Sequence, residues 1–221
     1  MQSLPRSSYM NIREVSKMTD NLKTAVTLFL ITLISGLMLG GVYEITKEPI
    51  ERANNAAIFA AYGELIPGSV DYETEEEAVK LANEKLADGT YGKSSVDNIV
   101  AAKDADGNVM GYVVTSTSNE GYGGPIQLTI GYMEDEADGS LKSTGISFLS
   151  IAETAGLGMN AEKPEFKDQF IGKPAVELKL TKSGNAGSDE INAMSGATVT
   201  STAVTNAVNA ANYAISDCIS K

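Results

Sequence analysis

Four hydroxyls crowd into one short run near the C-terminus, Ser195-Gly196-Ala197-Thr198-Val199-Thr200-Ser201. Directly behind it, Val204, Ala207, Val208, Ala211 and Ile215 recur at three- and four-residue steps, the spacing of an apolar stripe on an α-helix. A helix start presents unpaired N–H groups and the positive end of its dipole, and a phosphate is the natural occupant of that position. There the hydroxyls of Ser195, Thr200 and Ser201 would donate to phosphate oxygens, while Gly196 and Ala197 keep the approach free of bulk. The same residue types also cap helices without any ligand. Taken alone, the run leaves both readings open.

Two glycine-rich segments upstream carry polar or aromatic groups of their own. Glu153-Thr154-Ala155-Gly156-Leu157-Gly158 reads locally as a turn between a strand and a helix. Gly121-Tyr122-Gly123-Gly124-Pro125-Ile126 leads into an alternating strand, with Tyr122 placed either to lie over a ligand or to finish the strand.

In this order the three segments resemble the membrane-anchored FMN-binding subunits, namely the G subunit of the Rnf complex and the C subunit of the sodium-pumping NADH:quinone oxidoreductase. In that family a threonine esterified to the FMN phosphate closes a Ser/Thr-Gly-Ala-Thr run. The resemblance puts the covalent phosphoester on Thr198, with Ser195, Gly196, Ala197, Val199, Thr200 and Ser201 around it. Thr200 falls outside the matching position as an ester site. The resemblance further implies that Glu153 and Thr154 hydrogen-bond the isoalloxazine edge, that Gly156, Leu157 and Gly158 bring backbone close to it, and that Tyr122 lies beside it. Two departures stand out. Asn192 occupies the place where the family usually has an aspartate, three residues before the run, which bears on how well a flavin transferase would modify this chain. Ala155 stands where a proline is common, which leaves that turn less rigid.

Composition agrees with an organic redox cofactor. The chain of 221 residues has no His, so the commonest metal ligand and the commonest general base are both missing. Neither a metal site nor a catalytic residue is expected. Cys218 is the single cysteine, so the chain can form no internal disulfide and cannot supply the four thiolates of an iron–sulfur cluster. The net charge of −12 argues against nucleic acid.

The elements that must position the run follow in order. Residues 1–23 read as a polar cytoplasmic tail carrying Arg6, Arg13, Lys17 and Lys23, and residues 24–42 as an uncharged apolar span, just long enough to cross a bilayer as a helix. A cleaved signal peptide is the rival reading, against which stand the length of the run and its direct passage into Tyr43-Glu44-Ile45. The basic flank favours an inside N-terminus. Residues 43–95 read as a helical connector, with one helix over 49–65 ended by Pro67-Gly68 and a second opened by a capping box of Thr74 and Glu77 and stopped at Asp88-Gly89.

Residues 96–221 read as an FMN-binding domain. Strands are expected over 98–102 and 109–117, joined by a hairpin turn at Asp104-Ala105-Asp106-Gly107-Asn108 rather than a calcium loop, because Val109 and Thr115 stand where an EF-hand needs Gly and Glu. Ile126, Leu128, Ile130 and Tyr132 alternate as the next strand, followed by an acidic turn over 134–140 and a strand over 146–151. A short helix over 164–171, a strand through Val176, Leu178 and Leu180, and a loop over 182–189 complete the approach to the hydroxyl run. The fold class is α+β: one N-terminal transmembrane helix, then a mainly antiparallel sheet with flanking helices.

The resemblance implies an electron-carrying component of an ion-translocating ferredoxin:NAD oxidoreductase, not a stand-alone catalyst. It sits in the cell (inner) membrane as a single-pass protein with its main domain extracytoplasmic. The implied partners are the other Rnf components (A, B, C, D and E), a flavin transferase for maturation, and membrane lipid. Two other classes fit the residues: a free-standing exported flavoprotein serving an outside acceptor, and a non-redox surface-anchored binding module in which the hydroxyls only cap.

Overall fold

The computed structural model describes residues 12–219. The apolar run lies within one long helix, α1 (Ile12–Leu65), and its stretch Asn21–Lys47 is long and apolar enough to cross a membrane. At ~1.5 Å per residue, its 27 residues reach about 40 Å, more than a bilayer core. Leu28, Phe29, Leu37 and Leu39 are all exposed along it, a display that water penalises and lipid does not. The helix expected separately over 49–65 is the end of α1, and it stops at Leu65 ahead of Pro67-Gly68. Of the expected polar tail, residues 12–23 are helical and the rest lies outside the described residues.

Ala56–Lys221 forms one compact unit. After α1 come β1 (Asp71–Thr74), α2 (Glu76–Leu86), β2 (Ser94–Lys103), β3 (Val109–Ser118), β4 (Ile126–Glu134) and β5 (Leu141–Ser150). The five strands lie in chain order, each antiparallel to the next. Then follow α3 (Pro164–Lys167) with a 3₁₀ turn over Asp168–Phe170, a short parallel pair of β6 (Lys179–Thr181) and β7 (Glu190–Asn192), and α4 (Thr198–Tyr213), which relaxes into a π-helical turn over Ala214–Ile219.

β1 and α2, expected in a connector ahead of the sheet, belong to the sheet unit. β1 pairs with β2 from Asp71↔Lys103 to Thr74↔Val100, and Ala78, Ala82 and Leu86 of α2 enter the main core. Thr74 therefore does not cap α2. Its place is in the ladder opposite Val100, and Glu75 holds the cap position with no side-chain bond. β5 starts at Leu141 rather than at residue 146, because Leu141 to Gly145 pair with β4 although they lack an apolar alternation. The β2–β3 turn is a side-chain turn: Asp104 accepts from Asn108 Nδ2–H at 3.1 Å and from the N–H groups of Asn108 and Asp106 at 2.8 and 2.9 Å. Those bonds, the Asn108 side chain first, hold its carboxyl below the ordinary value.

The sheet is covered on both faces. On one, Ile126, Leu128, Ile130 and Tyr132 are fully buried together with Val204, Ala207, Val208 and Ala211 of α4. The alanines of α4 bring its backbone near the strands, and Ser116 Oγ donates to Ala207 C=O at 2.9 Å. On the other face, Tyr62, Leu65 and Ile66 at the end of α1 pack on Val100, Ala102 and Val113. Gly131 makes this approach possible, since a Cβ there would lie 2.8 Å from Leu65 Cβ and 2.3 Å from Thr144 Oγ1.

The strand expected through Val176, Leu178 and Leu180 shrinks to β6 because α4 claims its backbone. Asn209 Oδ1 accepts from Leu178 N–H at 2.8 Å, Asn209 Nδ2 donates to Leu178 C=O at 2.9 Å, and Asn212 Nδ2 donates to Val176 C=O at 2.6 Å. Tyr132 O–H donates to Asn212 Oδ1 at 2.6 Å, and burial pushes that phenol well above its ordinary pKa.

Candidate functional site

The hydroxyl run straddles a helix start: the helix expected behind the run already begins at Thr198, so Thr198, Thr200 and Ser201 form its first turn. Gly196 provides the bend into it at φ +75°, a left-handed conformation that residues with a Cβ rarely adopt. The capping reading fails here: Ala197 is the N-cap, and no side chain caps the helix. The first backbone bond into α4 runs from Ser201 N–H to Ala197 C=O at 3.0 Å. The N–H groups ahead of it are the orphan donors of a helix start.

Three separate parts of the chain meet there. A cleft of about 530 Å³ is lined by Tyr122 from the β3–β4 loop, by Glu153, Thr154, Leu157 and Gly158 from the loop after β5, and by Gly196, Ala197, Thr198, Val199 and Thr200. Tyr122, Leu157 and Val199 keep 75%, 46% and 52% of their surface exposed. Three large apolar side chains from three segments thus face solvent around one opening, the lining expected of a planar aromatic ligand.

The hydroxyls are not equivalent. Thr198 is exposed, and its Oγ1 makes no hydrogen bond within the described residues. Thr200 is only 2% exposed and donates to Glu153 Oε2 at 3.1 Å. Ser201 is fully buried and outside the cleft: its Oγ accepts from Met194 N–H at 3.0 Å and donates to Ala197 C=O at 2.9 Å, which braces the turn. Ser201→Ala is accordingly expected to lower stability by about 1–3 kcal/mol in denaturant unfolding, because Met194 N–H loses its acceptor. Ser195 is exposed on the other side of the turn, in a hollow of about 300 Å³ shared with Lys182, Asn192 and Thr198. Gly156 lines neither space, and sits at the bend of its loop with φ +77°.

Two residues of this neighbourhood escape a sequence reading. Lys182 shares the smaller hollow with Thr198, and its only signal is a cation in a Gly/Ser/Asn loop. Gly123 donates its N–H to Glu153 Oε1 at 3.2 Å, a bond with no sequence signal. Asn192 is held through its backbone: its N–H donates to Gln169 Oε1 at 2.7 Å and its C=O accepts from Gln169 Nε2 at 3.3 Å. Its own amide oxygen is buried without a hydrogen bond.

The residues present fit a flavin phosphate. One exposed, unpartnered hydroxyl stands at the positive end of a 16-residue helix, and an apolar opening for a ring lies beside it. Among the described residues, no group of His, Cys, Asp and Glu is arranged to hold a metal ion.

Comparison with known proteins finds relatives over most of the chain. The family model described as FMN-binding domain matches residues 121–212, a stretch that contains all three segments. The G subunit of the Na(+)-translocating ferredoxin:NAD(+) oxidoreductase complex of Acetobacterium woodii is 33% identical over 198 residues, covering 85% of this chain and 87% of that protein. The G subunit of the ion-translocating oxidoreductase complex of Methanosarcina acetivorans is 31% identical over 189 residues, covering 86% of this chain and 91% of that one. Among solved structures, the C subunit of the Na(+)-translocating NADH-quinone reductase from Parabacteroides distasonis aligns with a TM-score of 0.47 at 21% identity, over 72% of this chain and 81% of its own.

Proposed function

This chain belongs to the G-subunit family of the ion-translocating (Rnf) oxidoreductase complexes, is membrane-associated through its apolar helix and carries an FMN-binding domain; on that premise we propose that it holds FMN as a phosphoester on Thr198 and relays electrons within such a complex. The observation that carries the ester is the state of the Thr198 hydroxyl: exposed, without a hydrogen bond among the described residues, at the first residue of α4 and on the wall of the cleft. The bound flavin supplies the electron-transfer chemistry.

The chain's residues do the holding. Thr198 Oγ1 would hold the flavin through its phosphate, an ester that a flavin transferase would make from an activated flavin nucleotide with release of the nucleoside monophosphate. The unpaired N–H groups at the start of α4 would hold the phosphate charge. Tyr122, Leu157 and Val199 would shield a bound ring from water, and Gly158 leaves the backbone close to the cleft.

The topology follows from charge. Arg6, Arg13 and Lys17 precede the apolar stretch and Lys23 lies at its start, a basic flank that favours an N-terminus inside and a globular part exported after a single crossing. A covalent bond keeps the cofactor on an exported domain, where a dissociated flavin would be diluted away. The remaining Rnf subunits are the electron partners, and lipid surrounds the span.

The test is the intact mass of the full chain purified from cells that make a flavin transferase. It should exceed the polypeptide mass by FMN less one water, and co-purification with polytopic subunits should accompany it. An unmodified chain would end the ester proposal, and a lone soluble flavoprotein would end the assignment to a complex.

A further inference from the structure

The flavin reading places Glu153 as a partner of the ring, yet both of its carboxylate oxygens are engaged by the protein. Oε1 accepts from Gly123 N–H at 3.2 Å, and Oε2 accepts from the Thr200 hydroxyl at 3.1 Å. These two bonds join the β3–β4 loop to the first turn of α4 through the loop after β5, across 30 and 47 residues of sequence. Among the described residues no other hydrogen bond links the three segments.

The backbone is also shaped around this side chain. A Cβ on Gly158 would lie 2.6 Å from both Glu153 Oε2 and Thr200 Oγ1, and one on Gly121 would lie 2.8 Å from Glu153 Oε1. Real Cβ atoms do not come so close. Gly158 thus leaves room for the carboxylate and its Thr200 partner, while Gly121 is fixed first by Gly124 C=O, 2.2 Å from such a Cβ.

We infer that Glu153 is a positioning residue: it holds the walls of the cleft in register and keeps the Thr200 hydroxyl engaged, so that of the two threonines in the first turn of α4 it is Thr198, not Thr200, whose hydroxyl is free. The inference rests on the reading of the cleft as the flavin site. Its mechanism is separate, because the clamp is a property of the chain with or without the ring. Glutamine at this position retains an acceptor for Gly123 N–H and gains a donor toward Thr200 Oγ1, whereas alanine retains neither.

The experiment compares wild type, Glu153→Gln and Glu153→Ala as full chains in detergent, made with a flavin transferase and checked by mass. Hydrogen–deuterium exchange over residues 119–125 reads the clamp, and visible circular dichroism and the reduction potential read the ring's setting. Glu153→Ala should exchange that peptide about tenfold faster, the loss expected for one hydrogen bond, and should change the flavin dichroism and potential. Glu153→Gln should resemble wild type in all three. Unchanged exchange in Glu153→Ala overturns the inference, and so does a glutamine variant as disturbed as the alanine one, which would assign the role to charge facing the ring. Should Glu153→Ala fail to fold, Thr200→Val replaces it: it removes the bond to Oε2, and unaltered exchange over residues 151–158 in that variant also overturns the clamp. A wild-type chain that carries no FMN sinks the flavin reading alone, since exchange still decides on Glu153.

Discussion

Thr198→Ala is expected to remove the flavin completely: the purified chain should be colourless, run without fluorescence on a denaturing gel and have the unmodified mass. Thr200→Ala should keep the yellow, fluorescent band. The two threonines lie on the same helical turn, and only their surroundings separate them. Thr198 is exposed with a free hydroxyl, whereas Thr200 is 2% exposed and its hydroxyl is directed at Glu153. A nucleophile must reach phosphorus along an open line, and a buried hydroxyl engaged with a carboxylate has none. A band retained in Thr198→Ala and lost in Thr200→Ala would reverse the assignment and would require the Glu153 contact to open during modification.

The second large effect falls away from the cleft. Asn209→Ala is expected to destabilise the globular unit by about 2–4 kcal/mol in denaturant unfolding, because Leu178 N–H and Leu178 C=O both lose their partner in a place closed to water. Asn209 is 4% exposed and Leu178 is 3% exposed, so solvent cannot replace either bond. The helix concerned is the one that begins at Thr198, and Asn209 anchors its far half. Flavin occupancy should therefore fall with stability in this variant and recover at lower growth temperature, unlike the irreversible loss in Thr198→Ala. An effect within about 0.5 kcal/mol, the size usual for surface substitutions, would show that Leu178 finds other partners.

These expectations mark how far one dimension reached. The helix behind the hydroxyl run, the alternation through Ile126 to Tyr132, the Asp104 turn and the apolar span were all legible, because each rests on contacts within a few residues and on a side-chain period that the backbone imposes. Three segments that resemble one family also stood in the right order. Their meeting in a single cleft, with Ser195 turned to a second hollow and Ser201 turned inward, was not legible.

Long-range pairing decided the rest. Thr74 looks like a cap until β2 takes its backbone into a ladder 26 residues away, opposite Val100. Val176 and Leu178 look like a strand until Asn209 and Asn212 satisfy their backbone from α4. By itself, then, the sequence determined an apolar helix long enough to cross a membrane, the α+β order of elements and the run of hydroxyls at the start of the last helix. The tertiary structure decided which of those hydroxyls are already engaged, because a carboxylate 47 residues earlier takes Thr200 and the turn's own backbone takes Ser201.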